Sequence, residues 1–135
     1  MVGEVVEDRR LYVKEFVIGV EQNGEAVAYP YSVLNDQPVV NHEAGGVPLL
    51  VIFEAETGSG VVYKRELYGQ TLTFQSVDGL VLQDEETGST WDGQSGVAQS
   101  GPLAGKSLER LKSTRSFWFG WKDFYTATVV YGIDP

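Results

Sequence analysis

The segment from Asp84 to Leu108 constrains the fold more than any other part of the chain. It reads DEETGSTWDGQSGVAQSGPLAGKSL, with five glycines in the eighteen positions from 88 to 105 and one large aromatic residue, Trp91. Glycine costs roughly 1 kcal/mol relative to alanine inside a helix, whereas it is favoured where the backbone needs a positive φ. The segment therefore predicts short strands and tight turns packed around the Trp91 indole.

Two dipeptides outside this segment predict β-hairpins. Asn23-Gly24 lies between two β-rich runs, and Asp78-Gly79 lies between two more. Asn-Gly favours the type I′ turn, which needs positive φ at both central residues, and Asp-Gly between β-rich runs likewise indicates a hairpin. Because turn signals recur at regular spacing along the chain, we predict a mainly β fold, an antiparallel meander that closes into a small barrel or sandwich.

Three shorter segments complete the predicted architecture. The nearly continuous apolar run from Leu49 to Phe53 is typical of a strand buried on both faces. Aromatic residues at helical spacing predict one short helix near residues 116–124, which Ser116 would cap. A helical turn is predicted at 31–34, with Pro30 in its first position.

Composition limits the class of protein. With 135 residues, 42% of them apolar, we expect a single domain over 11–135 after a mobile lead-in at 1–10. No apolar run approaches the roughly 20 residues of a membrane helix, and the N-terminus lacks the apolar region of a signal peptide. The chain has no cysteine, which excludes disulfides, and its net charge of −9 argues against nucleic-acid binding.

The signature of the glycine-rich segment identifies a family. Asp84, Thr87-Gly88-Ser89, Trp91 and Gly101-Pro102-Leu103-Ala104-Gly105, in this order and spacing, resemble the prokaryotic family known as domain of unknown function 3179. The likeness extends over roughly residues 11 to 131. It carries no activity over to this chain, but it implies an exported setting, because members of the family look mostly like exported or lipid-anchored proteins.

The chain departs from the family pattern in two places. Many members carry a Cys-Pro-Leu-Cys-Gly-like run where this chain has Glu54-Ala55-Glu56-Thr57-Gly58. Many also carry Trp-His where this chain has Asp36-Gln37. Any metal or redox chemistry that relies on those thiols or that imidazole is therefore lost here.

We predict no catalytic residue, no metal site and no cofactor. A Ser-His-Asp arrangement would have to use His42, the only histidine, and no Gly-x-Ser-x-Gly motif occurs. We interpret His42, beside Glu43 and Gly45, as a solvated turn residue. The acidic groups of the chain fit no calcium-loop spacing, so we interpret them as turn and surface charge.

The family signature allows two interpretations. Trp91, flanked by glycine and small residues, is predicted to be a core residue, and Asp84 is expected to bond nearby backbone N–H groups, as aspartate does in turns. The alternative is a small-ligand or enzymatic pocket floored by Trp91 and rimmed by Asp84, Thr87 and Ser89. An open space beside the indole would favour the pocket, and a filled interior would favour the core.

The segment 106–122 differs from the rest of the chain in charge. It holds five basic residues against one acidic residue, net +4, which leaves −13 for the remainder of the chain. Three consecutive aromatics at 117–119 cannot all face inward from one helix, so at least one should be exposed. We therefore predict an interface at Arg115, Phe117 and Phe119 for a homo-oligomer or an acidic protein partner, within a non-enzymatic binding or scaffold module.

Overall fold

The computed structural model describes residues 10–134, which fold mainly as β-sheet with two short helices. The prediction of a mainly β fold with antiparallel sheets is confirmed, and the sandwich is the alternative that fits, because no sheet within 10–134 closes into a barrel. Residues 1–9 of the expected lead-in lie outside the described residues. Arg10, its last residue, donates to the Thr128 carbonyl at 3.1 Å and pairs with Asp134.

The strands, in chain order, are β1 (Phe16–Gln22), β2 (Glu25–Pro30), β3 (Val39–Ala44), β4 (Val47–Glu54), β5 (Ser59–Lys64), β6 (Glu66–Leu67), β7 (Gln70–Thr71), β8 (Phe74–Asp78), β9 (Val81–Asp84), β10 (Thr90–Asp92), β11 (Val97–Ser100), β12 (Glu109–Leu111), β13 (Thr114–Phe117) and β14 (Val129–Val130). The helices are α1 (Tyr31–Leu34) and α2 (Trp118–Phe124).

These strands form three four-stranded sheets and one two-stranded sheet. The first sheet has the order β13-β1-β2-β14, the central sheet β12-β5-β4-β3, and the third sheet β11-β10-β9-β8, while β6 pairs only with β7. Neighbouring strands are antiparallel, except that β14 runs parallel to β2. The predicted hairpins are present, and Asn23 and Gly24 have φ of 52° and 87°, as a type I′ turn requires.

The central sheet lies between the first and third sheets, and β4 shows this most directly. Leu49, Val51 and Phe53 pack against the first sheet, in one hydrophobic cluster with residues of β1 and β2. Leu50 and Ile52 point to the opposite face and pack with residues of the third sheet. Because side chains alternate along a strand, the continuous apolar run is buried on both sides, as predicted.

Helix α2 covers the outer face of the first sheet. Trp118 and Trp121 are buried there against apolar side chains of the first sheet. The Trp121 ring sits directly on Gly19 of β1, where an added Cβ would lie 2.3 Å from a ring carbon. Glycine at this position therefore lets the helix approach the sheet closely.

Two details of the predicted helices are wrong. Ser116 does not cap α2, because Ser116 and Phe117 belong to β13 and pair with β1, and the helix begins at Trp118 with no side-chain cap. Pro30 is not the first residue of α1 but the last residue of β2, which precedes the helix. In both places a strand pairing extends one or two residues further than the local pattern indicates.

Candidate functional site

The signature residues meet at the end of β9, where the chain turns back into β10. The side chain of Asp84 is fully buried and accepts hydrogen bonds from the Thr87 amide at 2.5 Å, the Thr87 hydroxyl at 2.8 Å and the Trp91 indole Nε1 at 2.8 Å. The turn is closed by Gly88, whose amide donates to the Asp84 carbonyl at 3.0 Å. Asp84 thus holds the turn and the indole together.

Ser89 extends this cluster to the Gly101–Gly105 turn. Its hydroxyl lies 2.7 Å from the Thr87 hydroxyl and accepts the Leu103 amide at 3.0 Å. Gly101 has φ of 89°, and a Cβ there would lie 2.7 Å from the Ser89 Cα. The two halves of the family signature are therefore in contact, and this close approach explains the glycine.

Trp91 is a core residue, as predicted. It is 1% exposed and packs edge-on against Phe74, with ring centroids 5.5 Å apart. Across residues 10–134, every buried side-chain nitrogen and oxygen has a hydrogen-bond partner. The polar groups of Asp84, Thr87 and Ser89 bond one another, Trp91 and the adjacent backbone, and a ligand role for these residues stays a prediction.

His42 is not the solvated turn residue that the sequence indicated. It lies in β3, half-buried, and its Nδ1 is 2.8 Å from the hydroxyl of Tyr29. Burial lowers the pKa of His42 and raises that of Tyr29, which keeps both groups neutral, and the imidazole tautomer decides which of the two donates. Tyr131 completes an aromatic group around the imidazole, with a ring-centroid separation of 4.8 Å.

A second group of residues forms what we call the cationic aromatic surface: Phe16, Arg115, Phe117 and Phe119. Phe16 and Phe117 are register partners in β1 and β13, and their rings stack with centroids 4.5 Å apart. Phe119 continues the stack, 6.0 Å from Phe117 and tilted by only 15°. The Arg115 guanidinium lies 4.4 Å above the ring of Phe16.

At the junction between β13 and α2, two of the three consecutive aromatic side chains remain exposed. Phe117 is 39% exposed and Phe119 is 45% exposed, whereas Trp118 between them is 1% exposed. The prediction that residues 117–119 cannot all be buried is therefore confirmed. Phe16, which joins the stack, was missed because nothing local in the sequence indicates that β1 pairs with β13.

The basic residues around this surface lie on sheet edges. β12 and β13 are outer strands of the central and first sheets, and Lys112 and Arg115 are exposed on or between them. Within residues 10–134 neither of these two forms an ion pair. The positive charge of these two side chains therefore remains available to an acidic surface.

Residues 10–134 contain neither a metal-binding cluster nor a membrane-spanning helix. No group of three or more His, Asp or Glu side chains there is arranged to hold a metal ion. None of the helices formed by these residues is long and apolar enough to cross a membrane.

Comparison with known proteins gave one match. A family model described as protein of unknown function (DUF3179) matches residues 2–128. No curated protein and no solved structure matches the chain. The matched residues include both helices and every described strand except β14.

Proposed function

The chain belongs to the DUF3179 family of proteins of unknown function, and we propose that it is a non-enzymatic scaffold module that binds a second copy of itself. The contact is the cationic aromatic surface. The observation that carries the proposal is the exposed stack of Phe117 and Phe119 in line with a guanidinium that forms no ion pair. Phenylalanine and arginine are enriched at the centres of protein interfaces.

The rings are already ordered in the unbound protein. Phe117 is held between the rings of Phe16 and Phe119, and its backbone is fixed by the β13 pairing. Immobilising a flexible side chain on binding costs about 0.5–1.5 kcal/mol, so rings that are stacked beforehand lose less. This arrangement favours a binding surface over side chains left exposed by chance.

Charge favours a second copy as the partner. The segment 106–122 carries +4 while the rest of the chain carries −13, so the segment is opposite in charge to most of another copy. Exposed charges more than about 8–10 Å apart are largely screened near physiological ionic strength. The association should therefore weaken as salt is added.

A purely structural role explains only part of this surface. Charged side chains on edge strands discourage the addition of further strands, which accounts for cations on β12 and β13. It does not account for Phe117 and Phe119, because exposed aromatic rings at a sheet edge increase the risk of association. A contact that buries the rings and pairs the cations accounts for both.

Sedimentation velocity at several protein concentrations, in low and in high salt, tests the proposal. We expect the wild-type protein to associate in low salt and to shift toward monomer in high salt. The double variant Phe117→Ser/Phe119→Ser should be monomeric in both. Arg115→Gln should weaken the association in low salt more than in high salt.

Two control variants make the outcome specific. Val77→Ser removes an exposed apolar side chain from β8, and Lys64→Gln removes a cation that pairs with Glu66. Both should associate as the wild type does. A wild-type protein that stays monomeric at every salt and concentration, or association that the double variant leaves intact, would refute the proposal.

A further inference from the structure

A cleft of about 210 Å³ opens where the hairpin of β4 and β5 extends beyond the cover of the third sheet. Its apolar lining comes from Ile52, Val61 and Leu80. Ile52 and Val61 are register partners, so their side chains lie next to each other on the face of the central sheet that the third sheet covers further along. The cleft is thus an uncovered end of the interior between two sheets.

Two opposite charges line this cleft. Glu54 ends β4 two residues after Ile52, on the same face, and Arg110 lies on β12 opposite Tyr63. Register partners point to the same face, and Tyr63 faces the third sheet, so the Arg110 side chain is directed to the same side as Glu54.

The two charges do not neutralise each other. No ion pair joins Glu54 and Arg110, and neither has another ion-pair partner within the described part of the chain. One carboxylate oxygen of Glu54 accepts the Thr57 hydroxyl at 3.0 Å, and no side chain of the described residues donates to the other. The side-chain amide of Gln94, which also lines the cleft, makes no hydrogen bond among these residues.

We propose that this cleft binds a small zwitterion, a free α-amino acid with an apolar side chain. The Arg110 guanidinium takes the carboxylate of the ligand, since its donors match a carboxylate in a bidentate fashion. Glu54 accepts from the ammonium group, and the apolar lining takes the side chain. Its volume of about 210 Å³ lies below the about 300–1,000 Å³ of drug-sized sites, which selects a small ligand.

This assignment uses each feature of the cleft. A simple carboxylate would leave Glu54 unpaired and facing a like charge, and a simple amine would do the same to Arg110. A zwitterion satisfies both charges at once, and one that also buries an apolar side chain removes the lining from water. The site is on the far side of β4 from the cationic aromatic surface, so it does not depend on association.

Isothermal titration calorimetry on the full chain tests the proposal with L-alanine, L-valine and L-leucine, at concentrations on the order of 10 mM. Isovalerate and isobutylamine are the matched probes, because each keeps the apolar group of valine and only one of its charges. We expect at least one of the three amino acids to bind, and both single-charge probes to bind about tenfold more weakly or worse.

Variants locate the site. Arg110→Gln and Glu54→Gln should each weaken amino-acid binding by about 10- to 100-fold, because each removes a charge-assisted hydrogen bond. Lys64→Gln, which removes a cation on the opposite face of β5 from Tyr63, should leave binding unchanged. Amide NMR shifts on titration should include the Gln94 side chain.

Three outcomes would overturn the proposal. The first is that none of the three amino acids binds. The second is that isovalerate or isobutylamine binds as tightly as valine. The third is that binding persists in both charge variants, which would place the ligand elsewhere. Thermal melts of each variant confirm that any lost binding is not lost folding.

Discussion

At the scale of single residues, Asp84 and Trp91 hold the third sheet together. A buried carboxyl group is tolerated when hydrogen bonds replace its lost hydration, and Asp84 receives them from Thr87 and from the indole. Trp91 in turn fills the space between the third and central sheets. Asp84 therefore supplies the acceptor, and Trp91 supplies both the donor and the packing.

Two substitutions separate the packing of Trp91 from its hydrogen bond. Trp91→Ala should lower the free energy of unfolding by about 3–5 kcal/mol, because it leaves a large cavity in the core. Trp91→Phe keeps most of the ring but removes the donor to Asp84, and should cost less, about 1–3 kcal/mol. Denaturant unfolding measures both. A Trp91→Ala protein that melts within a few degrees of the wild type would contradict the core assignment.

His42 makes stability depend on pH. Burial lowers its pKa below the unfolded value and Arg65 adds to this, while Glu25 and Glu43 partly oppose the shift. Below about pH 6.5 the unfolded chain therefore binds protons that the folded chain resists, so stability falls as pH drops through this value. The loss stops growing below the folded pKa.

The matched variant is His42→Gln, which does not titrate. Between pH 7.5 and 5.5, on the order of one unit either side of the unfolded histidine pKa, the free energy of unfolding should fall more in the wild type than in this variant. Equal slopes for the two proteins would show that His42 does not control this dependence.

At the scale of elements, the contact between α2 and the first sheet depends on Gly19. An alanine methyl group there would meet the Trp121 ring at 2.3 Å, so the helix would have to move outward. We expect Gly19→Ala to destabilise the protein by about 1–3 kcal/mol, as overpacking does.

Gly120→Ala, a substitution within α2, is the control for Gly19→Ala. Its added methyl group would come no closer than 3.3 Å to the Ser116 hydroxyl, and alanine is favoured over glycine in helices by about 1 kcal/mol. This variant should therefore be neutral or stabilised in denaturant unfolding. Equal effects from both variants would show that proximity to Trp121 is not the cause.

Elements whose signals are local were predictable from the sequence. Asn23-Gly24 indicates its hairpin because the turn type depends on the two residues themselves, and β4 is recognised by its own apolar run. Ser116 was misassigned because its strand is set by a partner distant in sequence, Val17 of β1. His42 was misassigned because the β3–β4 hairpin turns only at Gly45 and Gly46, so β3 continues past His42 to Ala44.

The candidate sites differ in the same way. The cluster around Asp84 could be predicted, since its members lie within eight positions and the turn chemistry of aspartate is local. The stack on Phe16 could not, because it requires the pairing of β1 with β13. The cleft between Glu54 and Arg110 likewise requires the register of β12 on β5, which no short motif indicates.

At the scale of the whole molecule, the proposed self-association would join two different parts of the surface. The cationic aromatic surface lies at the β13 edge of the first sheet, whereas the chain outside residues 106–122 carries a net charge of −13. A contact between this surface and acidic side chains of another copy would be heterologous, so each bound copy would still present one free surface of each kind. Growth then continues until a ring closes, and the proposed association should not stop at a dimer.

The strands of the first sheet are synthesised at different times. Its inner strands β1 and β2 precede its outer strands β13 and β14 in the chain by many residues, and Val129 pairs with Val27. Until β13 and β14 leave the ribosome, both edges of the β1–β2 hairpin are open templates for other chains. Two strands that are made late therefore protect two that are made early.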